Sequence, residues 1–304
     1  DSGADRVGDW LLPNYTEEVE NRYTSQPGYN INLDIFQYGV APAFRWNWRN
    51  YWYYRYYYGY YYAWWRYRFY GRYFYQTQFT LDGSNEAGAM GAQTFQVGEE
   101  KVLVGFEIMH NRPGTYRAAA NPRVLVVESV QGRPDMEKVL ATGSFVDDAQ
   151  YQGTGSTTVY WPKVDLDRPV LLSPGKSYAF VIIADAQWRV NYTANQDGTG
   201  GFFQTQDGVA WEQDIAKDIA YRMRYAQFSG ASQTIEIEAM ELSGGIASIK
   251  QDLLAELPDG STISTEMEVN GQWLPIKDMD NITSLPPYTP MRLVMTGSAN
   301  AMPL

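Results

Sequence analysis

The sequence contains no cysteine and only one histidine, His110, among its 304 residues. Disulfide bonds, thiolate metal sites and a cysteine nucleophile are therefore excluded, and a metal site built from several histidines is impossible. Any Ser-His-Asp triad would have to use His110, but the sequence has no nucleophile-elbow motif. We therefore expect His110 to be an ordinary polar residue at the end of a strand.

Long apolar runs and complete metal-ligand strings are also missing. No uninterrupted apolar run reaches the roughly 18 residues that a membrane-spanning helix needs, so we expect no membrane insertion. The acidic loops at 147–148 and 195–201 lack the string of about six to eight oxygen ligands that Ca²⁺ requires. A carboxylate pair for glycoside hydrolysis cannot be singled out among 35 acidic residues. We predict no metal, no cofactor and no enzymatic activity.

Positive charge is scarce in most of the chain and concentrated in one segment. The net charge is −11, from 24 Lys and Arg against 35 Asp and Glu. Residues 44–75 contain six Arg and no acidic residue, so the rest of the chain has 18 basic and 35 acidic residues, a net charge of −17. Such an acidic body repels polyanions, and we predict no nucleic-acid partner.

Aromatic residues dominate this same segment. Of the 32 residues from Phe44 to Tyr75, 21 are Phe, Trp or Tyr, six are Arg and five are Asn, Gly or Ala. Three interpretations are open. The segment is a stacking and cation–π surface for a polyanion or sugar, or a β arm that pairs with neighbouring subunits. In the third interpretation, the printed residue types of this segment differ from those that the gene encodes. This interpretation is favoured because packed segments normally mix aliphatic with aromatic side chains, and this segment has almost no aliphatic ones.

Short strands with turn signals between them dominate residues 76–229, and no long amphipathic helix interrupts them. The nine or ten predicted strands are typical of a β-sandwich, and their number suits a jelly roll. Val102, Val104, Phe106 and Ile108 alternate with other residues, which predicts that these four share one face of a strand.

Two further strands in this region have distinctive faces. A Pro-Gly turn at residues 174–175 leads into a strand that is apolar on both sides, as expected inside a sandwich. Between Ile219 and Tyr225, apolar side chains alternate with Arg222 and Arg224. This alternation predicts a half-buried strand whose outer face is basic.

The predicted fold class is all-β, with a jelly-roll β-sandwich at residues 76–229 followed by a second, smaller β-sandwich at 230–304. Asn270-Gly271 is a strong signal for a two-residue hairpin in the smaller unit. We expect this unit to be incomplete at its C-terminal end. Residues 1–75 precede the sandwich as an extended, docked arm, in which residues 11–23 are expected to hold one short helix.

Four aromatic residues of the predicted sandwich are the candidate ligand-contact residues. An exposed aromatic ring offers an apolar face that matches the C–H face of a pyranose at little entropic cost. The alternative is that these rings pack in the core and at its rim. The four candidates are Trp161, Trp188, Tyr192 and Trp211.

Four strings occur in a fixed order: AQTF (92–95), GRPDMEKVLA (132–141), the hairpin string PVLLSPGKSYAFV (169–181) and RYAQF (224–228). Together they resemble the jelly-roll modules of bacteriophage tail, fibre and baseplate-associated attachment proteins. The second unit resembles the small β-sandwich that often follows such modules, so the resemblance covers roughly residues 76–304.

The resemblance implies a structural component of the phage tail, located in the virion and in contact with other tail proteins. It implies a homo-oligomer, with a trimer as the expected form, that contributes to adhesion on host cell-surface glycans without catalysis. The alternative, from a different class, is a carbohydrate-binding module, free or attached to a polysaccharide-degrading enzyme.

Overall fold

The computed structural model describes residues 3–22, 31–35, 45–46, 74–75, 87–88, 90–111, 123–145, 159–183, 188–194, 200–205, 209–214, 217–278 and 280–304. Within these residues the chain is almost entirely β-strand, with one short 3-10 helix, Ile276–Asp278, and no α-helix. The strands pair antiparallel, apart from one short parallel pairing. The predicted all-β class is confirmed.

The strands are numbered in chain order. The N-terminal part contains β1 (Ala4–Val7), β2 (Trp10–Pro13), β3 (Tyr15–Arg22), β4 (Ile31–Ile35), β5 (Arg45–Trp46), β6 (Phe74–Tyr75) and β7 (Ala87–Gly88). The central part contains β8 (Met90–Gln96), β9 (Lys101–Ile108), β10 (His110–Asn111), β11 (Arg123–Val130), β12 (Arg133–Phe145), β13 (Val159–Tyr160), β14 (Lys163–Leu172), β15 (Ser177–Ile183), β16 (Trp188–Ala194), β17 (Phe202–Thr205), β18 (Glu212–Asp214), β19 (Lys217–Ile219) and β20 (Tyr221–Phe228). The last part contains β21 (Ser232–Met240), β22 (Ile246–Ser248), β23 (Thr262–Val269), β24 (Gln272–Pro275), β25 (Asp280–Ile282) and β26 (Thr289–Thr296).

One continuous ten-stranded ladder runs in the order β18-β17-β8-β15-β11-β12-β14-β9-β20-β3. The ladder folds over on itself, because rings from strands that are distant in this order touch. Phe180 of β15 lies with its ring centroid 5.1 Å from that of Phe106 on β9 and 4.9 Å from that of Tyr221 on β20. The two halves of the ladder are therefore the two layers of a β-sandwich, with a hydrophobic core between them.

The strand β15 is buried on both faces. Tyr178, Phe180 and Ile182 point into the core between the layers, whereas Ala179 and Val181 belong to a second buried cluster on the opposite face. The predicted strand with two apolar sides is thus confirmed. Burying a large apolar side chain contributes about 1.5–3 kcal/mol, so β15 is a main source of the stability of its layer.

The turn between β14 and β15 connects the two layers. Gly175 in this turn has a φ of 78°, which a glycine adopts without strain. β14 pairs with β12 and β9, whereas β15 pairs with β11 and β8. The string at 169–181 is therefore a corner between layers and not a β-hairpin. The sequence does not distinguish the two, because both strands bury one face in the same core in either arrangement.

β9 contains a β-bulge at Val104, the residue that is skipped in the register of β9 with β20. An inserted residue reverses the alternation of side chains along a strand. Val102 and Val104 consequently pack on the outer face of the sandwich, whereas Phe106 and Ile108 enter its core. The prediction that all four share one face was wrong, because period-two patterning does not reveal an inserted residue.

The N-terminal segment is extended and not helical. β2 pairs with β1, and β3 pairs with β20 along its whole length, from Tyr15 opposite Phe228 to Arg22 opposite Tyr221. The short helix expected in residues 11–23 was therefore wrong. Hydrogen bonds to a strand some 200 positions later in the chain, and not local spacing, decide this conformation.

An outer cluster of apolar side chains covers the layer that contains β9 and β20. This cluster joins the N-terminal β1–β2 hairpin to the last residues of the sequence. Backbone hydrogen bonds also hold these last residues in place: Phe228 N donates to Ala299 O at 2.8 Å. Leu304 N donates to Glu256 O at 2.9 Å. The buried members of the outer cluster are Val7, Leu12, Val102, Val104, Ala226, Phe228, Ala301, Met302 and Leu304.

The residues after 230 form a four-stranded antiparallel sheet in the order β21-β26-β23-β24. Asn270 and Gly271 connect β23 to β24 with φ values of 51° and 78°, so the predicted hairpin is confirmed. The core of this unit contains Met267 and Met291 from the sheet, and Ile246 and Ile282 from the β22–β25 pair are packed against it.

The aromatic segment 44–75 lies almost entirely outside the described residues. At its two ends, β5 pairs with β6, with Arg45 opposite Tyr75 and Trp46 opposite Phe74. This pair is a two-stranded sheet of its own. The three interpretations of the segment stay open.

Candidate ligand-contact surfaces

Trp161 lies at one end of the sandwich, just after β13, and is half-buried. The guanidinium carbon of Arg222 lies 4.0 Å from the centroid of the Trp161 ring, which is a cation–π contact. Arg222 also donates to the buried carboxylate of Glu107 at 2.9 Å. An ion pair between β20 and β9 therefore holds the Trp161 ring in one orientation.

Trp188 and Tyr192 both lie on β16, which pairs with β19 and β4. The β16 backbone lies against β10, and β10 pairs with β13, the strand that precedes Trp161. The structure therefore brings the backbone positions of three of the four sequence candidates to one end of the sandwich. The side chains of Trp188 and Tyr192 fall outside the described part of the structure.

Trp211 does not present its ring to solvent. It is 8% exposed and packs in a cluster with Val127, Val181 and Phe203 on the outer face of the layer that contains β15. A sugar needs an open ring face for stacking. For this residue the core-packing alternative describes the structure.

The outer face of β20 is charge-paired and not simply basic. Arg224 is 5% exposed and forms ion pairs with Glu17 of β3 and Asp165 of β14. Its Nε donates to Glu17 at 3.0 Å. With Arg222 bound to Glu107, both arginines of this face are paired with carboxylates. The predicted half-buried alternation is confirmed, since Tyr221, Met223 and Tyr225 lie in the core. The outer face is not basic overall, because carboxylates from strands that are remote in sequence pair with both arginines.

The titration of Glu17 and of the core tyrosines follows from these contacts. Hydrogen bonding from Arg224 lowers the pKa of the Glu17 carboxyl, and partial burial opposes this shift only in part. Burial raises the pKa of both Tyr221 and Tyr225 far above the physiological range, so both phenols are neutral core groups.

Neither a metal cluster nor a spanning helix is found in the described ranges. They contain no group of three or more His, Cys, Asp or Glu side chains placed to hold a metal ion. No helix within them has the length and apolar character needed to cross a membrane. The backbone of His110 pairs with Tyr160 in the short β10–β13 ladder, and its side chain lies outside the description.

The small sheet has an open cavity that the sequence did not indicate. The cavity has a volume of about 550 Å³ and lies between the β23–β24 turn and the loop at 284–290. Tyr288 at its rim is 69% exposed. The string LPPYTP, with three prolines around this tyrosine, predicts a loop but not the cavity, because the opposite wall comes from another strand. The lining residues used below are Glu268, Asn270, Ser284 and Tyr288.

Comparisons of the chain with protein-family models, with curated proteins and with solved structures found no match.

Proposed function

We propose that this chain is a structural and attachment component of a bacteriophage tail, as a fibre, tip or baseplate-associated protein of the virion. It contributes to host-surface adhesion through multivalent, non-catalytic contacts, together with other tail proteins. The proposal rests on the ordered strings that resemble phage jelly-roll modules, and the jelly-roll assignment of the large sandwich is part of it.

The observation that supports this proposal most directly is that the four strings contribute to one core. Phe95, Ala141, Phe180 and Tyr225, one from each string, belong to the same buried cluster. The strings that carry the resemblance thus belong to a single packed scaffold. A scaffold of this kind suits a protein that holds contact surfaces at fixed positions on a particle.

Attachment by such a protein depends on copy number. The resemblance implies a homo-oligomer, with three copies as the expected form. Several copies on one particle convert weak single contacts into tight attachment, because each later contact forms at a high effective concentration once the first has formed.

A carbohydrate-binding module, free or attached to a polysaccharide-degrading enzyme, is the second candidate function. It is favoured by Trp161, whose half-buried ring is held by Arg222 at the end of the sandwich. A ring that is already fixed in position loses little conformational entropy when a sugar stacks on it. Trp188 and Tyr192 remain candidate contacts because their strand lies near this end.

Light scattering on the purified protein, combined with binding of the labelled protein to a panel of bacterial cells, tests the proposal. We expect an oligomer that coats the cells of some strains, and a Trp161→Ala variant that still coats them. Loss of binding in that variant, together with loss of binding to a polysaccharide array, would favour the carbohydrate-binding module. A monomer that binds no bacterial surface would contradict the tail-attachment proposal.

A further inference from the structure

The cavity of the small sheet is lined by polar side chains without internal partners. Within the described residues, the side chains of Glu268, Asn270, Ser284 and Tyr288 form no hydrogen bond or ion pair with another part of the chain. Their donors and acceptors are therefore available to a molecule that enters the cavity. Polar groups that converge on one concave site are the usual elements that orient a small ligand.

The neighbouring acidic residue on the same strand behaves differently. Glu266 accepts from Arg292 at 2.8 Å, and Arg292 lies 4.1 Å from the centroid of the Trp273 ring. Glu268 is directly opposite Trp273 in the β23–β24 register but has no cation beside it in the described residues. The unpaired carboxylate is thus a property of the cavity and not of the strand in general.

The aromatic rim of the cavity is held by a rigid loop. Tyr288 follows two consecutive prolines and precedes Thr289 and Pro290. Thr289 is fully buried, and its Oγ1 donates to Pro286 O at 3.3 Å, which closes the loop on itself. Proline restricts the backbone, so the loop loses little conformational entropy when a ligand binds.

The charge of the lining limits the class of ligand. Among the described lining residues, Glu268 has the one acidic side chain, and none is Lys or Arg. An anionic ligand would be repelled, whereas neutral hydroxyl groups can donate to the carboxylate. The exposed face of Tyr288 in turn suits a ligand with an apolar C–H face.

We infer that this cavity binds a neutral saccharide, with one pyranose ring stacked on Tyr288. Sugar hydroxyl groups donate to Glu268 and exchange hydrogen bonds with Asn270 and Ser284. This site is separate from Trp161 and does not depend on the protein being a tail component.

Saturation-transfer NMR on the intact protein tests the inference, with a panel of neutral methyl pyranosides (gluco, galacto, manno and N-acetylglucosamine) as probes. We expect at least one to bind with a Kd of about 1 mM, as is usual for a single shallow sugar site. Tyr288→Ala and Glu268→Gln should each weaken that binding at least about tenfold. Tyr288→Phe, which keeps the ring, should retain it.

The controls separate this site from others. Trp161→Ala should leave pyranoside binding unchanged, and circular dichroism should show that all variants fold. The inference is overturned if no pyranoside binds, or if binding is lost in Trp161→Ala but not in Tyr288→Ala. It is also overturned if an oligolysine peptide binds instead of any pyranoside and Glu268→Gln abolishes that binding, because the site would then recognise a cation. Adhesion to cells that persists without pyranoside binding would overturn the inference and leave the tail-attachment proposal intact.

Discussion

At the scale of single residues, Arg224 links three strands of the large sheet. It lies on β20, and its ion-pair partners Glu17 and Asp165 lie on β3 and β14. β14 is two strands away from β20, so the guanidinium must reach across β9. It can do so because Gly105 occupies the β9 position between them and has no side chain.

The pairing of Glu17 with Arg224 should make stability depend on pH. At pH 7, Glu17→Gln should lower the free energy of unfolding by about 1 kcal/mol, a charge-assisted hydrogen bond discounted for the partial exposure of Glu17. Because the folded-state pKa of this carboxyl lies below its ordinary value of 4.5, the contribution is complete above pH 4.5. It is lost as the pH falls through the lower, folded-state pKa. Urea denaturation of both proteins between pH 7 and pH 3 measures the difference.

Glu18→Gln is the matched control, because the Glu18 carboxylate is 44% exposed and lies 3.5 Å from Lys101, a longer ion pair than that of Glu17. Its effect on the urea midpoint should be small at every pH. If Glu17→Gln and Glu18→Gln lower the free energy of unfolding equally, the pairing of Glu17 with the buried Arg224 guanidinium does not contribute the expected stability.

At the scale of elements, the bulge in β9 and the neighbouring Gly105 together determine which side chains lie on the outer face of this strand. The bulge turns Val102 and Val104 toward the outer cluster, and Gly105 leaves room for the side chain of Arg224. A Cβ at Gly105 would lie 2.4 Å from Val164 O and 2.8 Å from Arg224 Nη1. Since the first of these atoms is backbone, the strand itself would have to shift.

Gly105→Ala should therefore destabilise the protein by about 2 kcal/mol, the usual cost of overpacking an interior. Gly98→Ala is the control, because a Cβ there meets no atom within 4 Å and the residue has an ordinary φ. Chemical denaturation of the two variants should show a lower midpoint for Gly105→Ala alone. Equal midpoints would mean that β9 and β14 can separate without cost at this point.

Local and non-local connections differ in how far the sequence predicts them. The Asn270-Gly271 hairpin was predictable, because a two-residue turn with two positive φ values selects these residue types by itself. The turn at Gly175 was equally visible, but its role as a corner between layers was not. That role depends on which strands flank β14 and β15, and their partners lie elsewhere in the chain.

At the scale of the whole molecule, the β1–β2 hairpin lies between the two sheets. Leu12 packs in the outer cluster against Val104 and Met302, whereas Leu11 packs against Ile235 and Met295 of the small sheet. One short hairpin therefore contacts the large sandwich, the small sheet and the last residues of the sequence.

Leu12→Ala should destabilise the protein by about 3 kcal/mol, since Leu12 is fully buried in the outer cluster and its truncation leaves a cavity there. Val19→Ala is the control, because Val19 is 45% exposed on β3. Differential scanning calorimetry should show a lower Tm for Leu12→Ala and a nearly unchanged one for Val19→Ala. A Tm for Leu12→Ala that matches the control would show that the packing of Leu12 in the outer cluster does not stabilise the protein.

The candidate contact residues show what the sequence alone could not decide. Trp161 and Trp211 look alike in the sequence, but one is half-buried beside Arg222 and the other is packed inside a cluster. Exposure depends on which strands cover a position. The saccharide cavity was missed for the same reason, since Glu268 and Tyr288 come from separate segments that meet only in the folded chain.

The sequence by itself determined the all-β class, the positions of many strands and the two-residue hairpin turn at Asn270-Gly271. These properties depend on side-chain periodicity and on backbone preferences that act within a few residues. Only the tertiary structure decided the bulge at Val104, the extended pairing of β3, the burial of Arg224 and the corner after β14. Each of these features depends on a partner strand that is distant in sequence, and a pattern of nearby residues does not identify that strand.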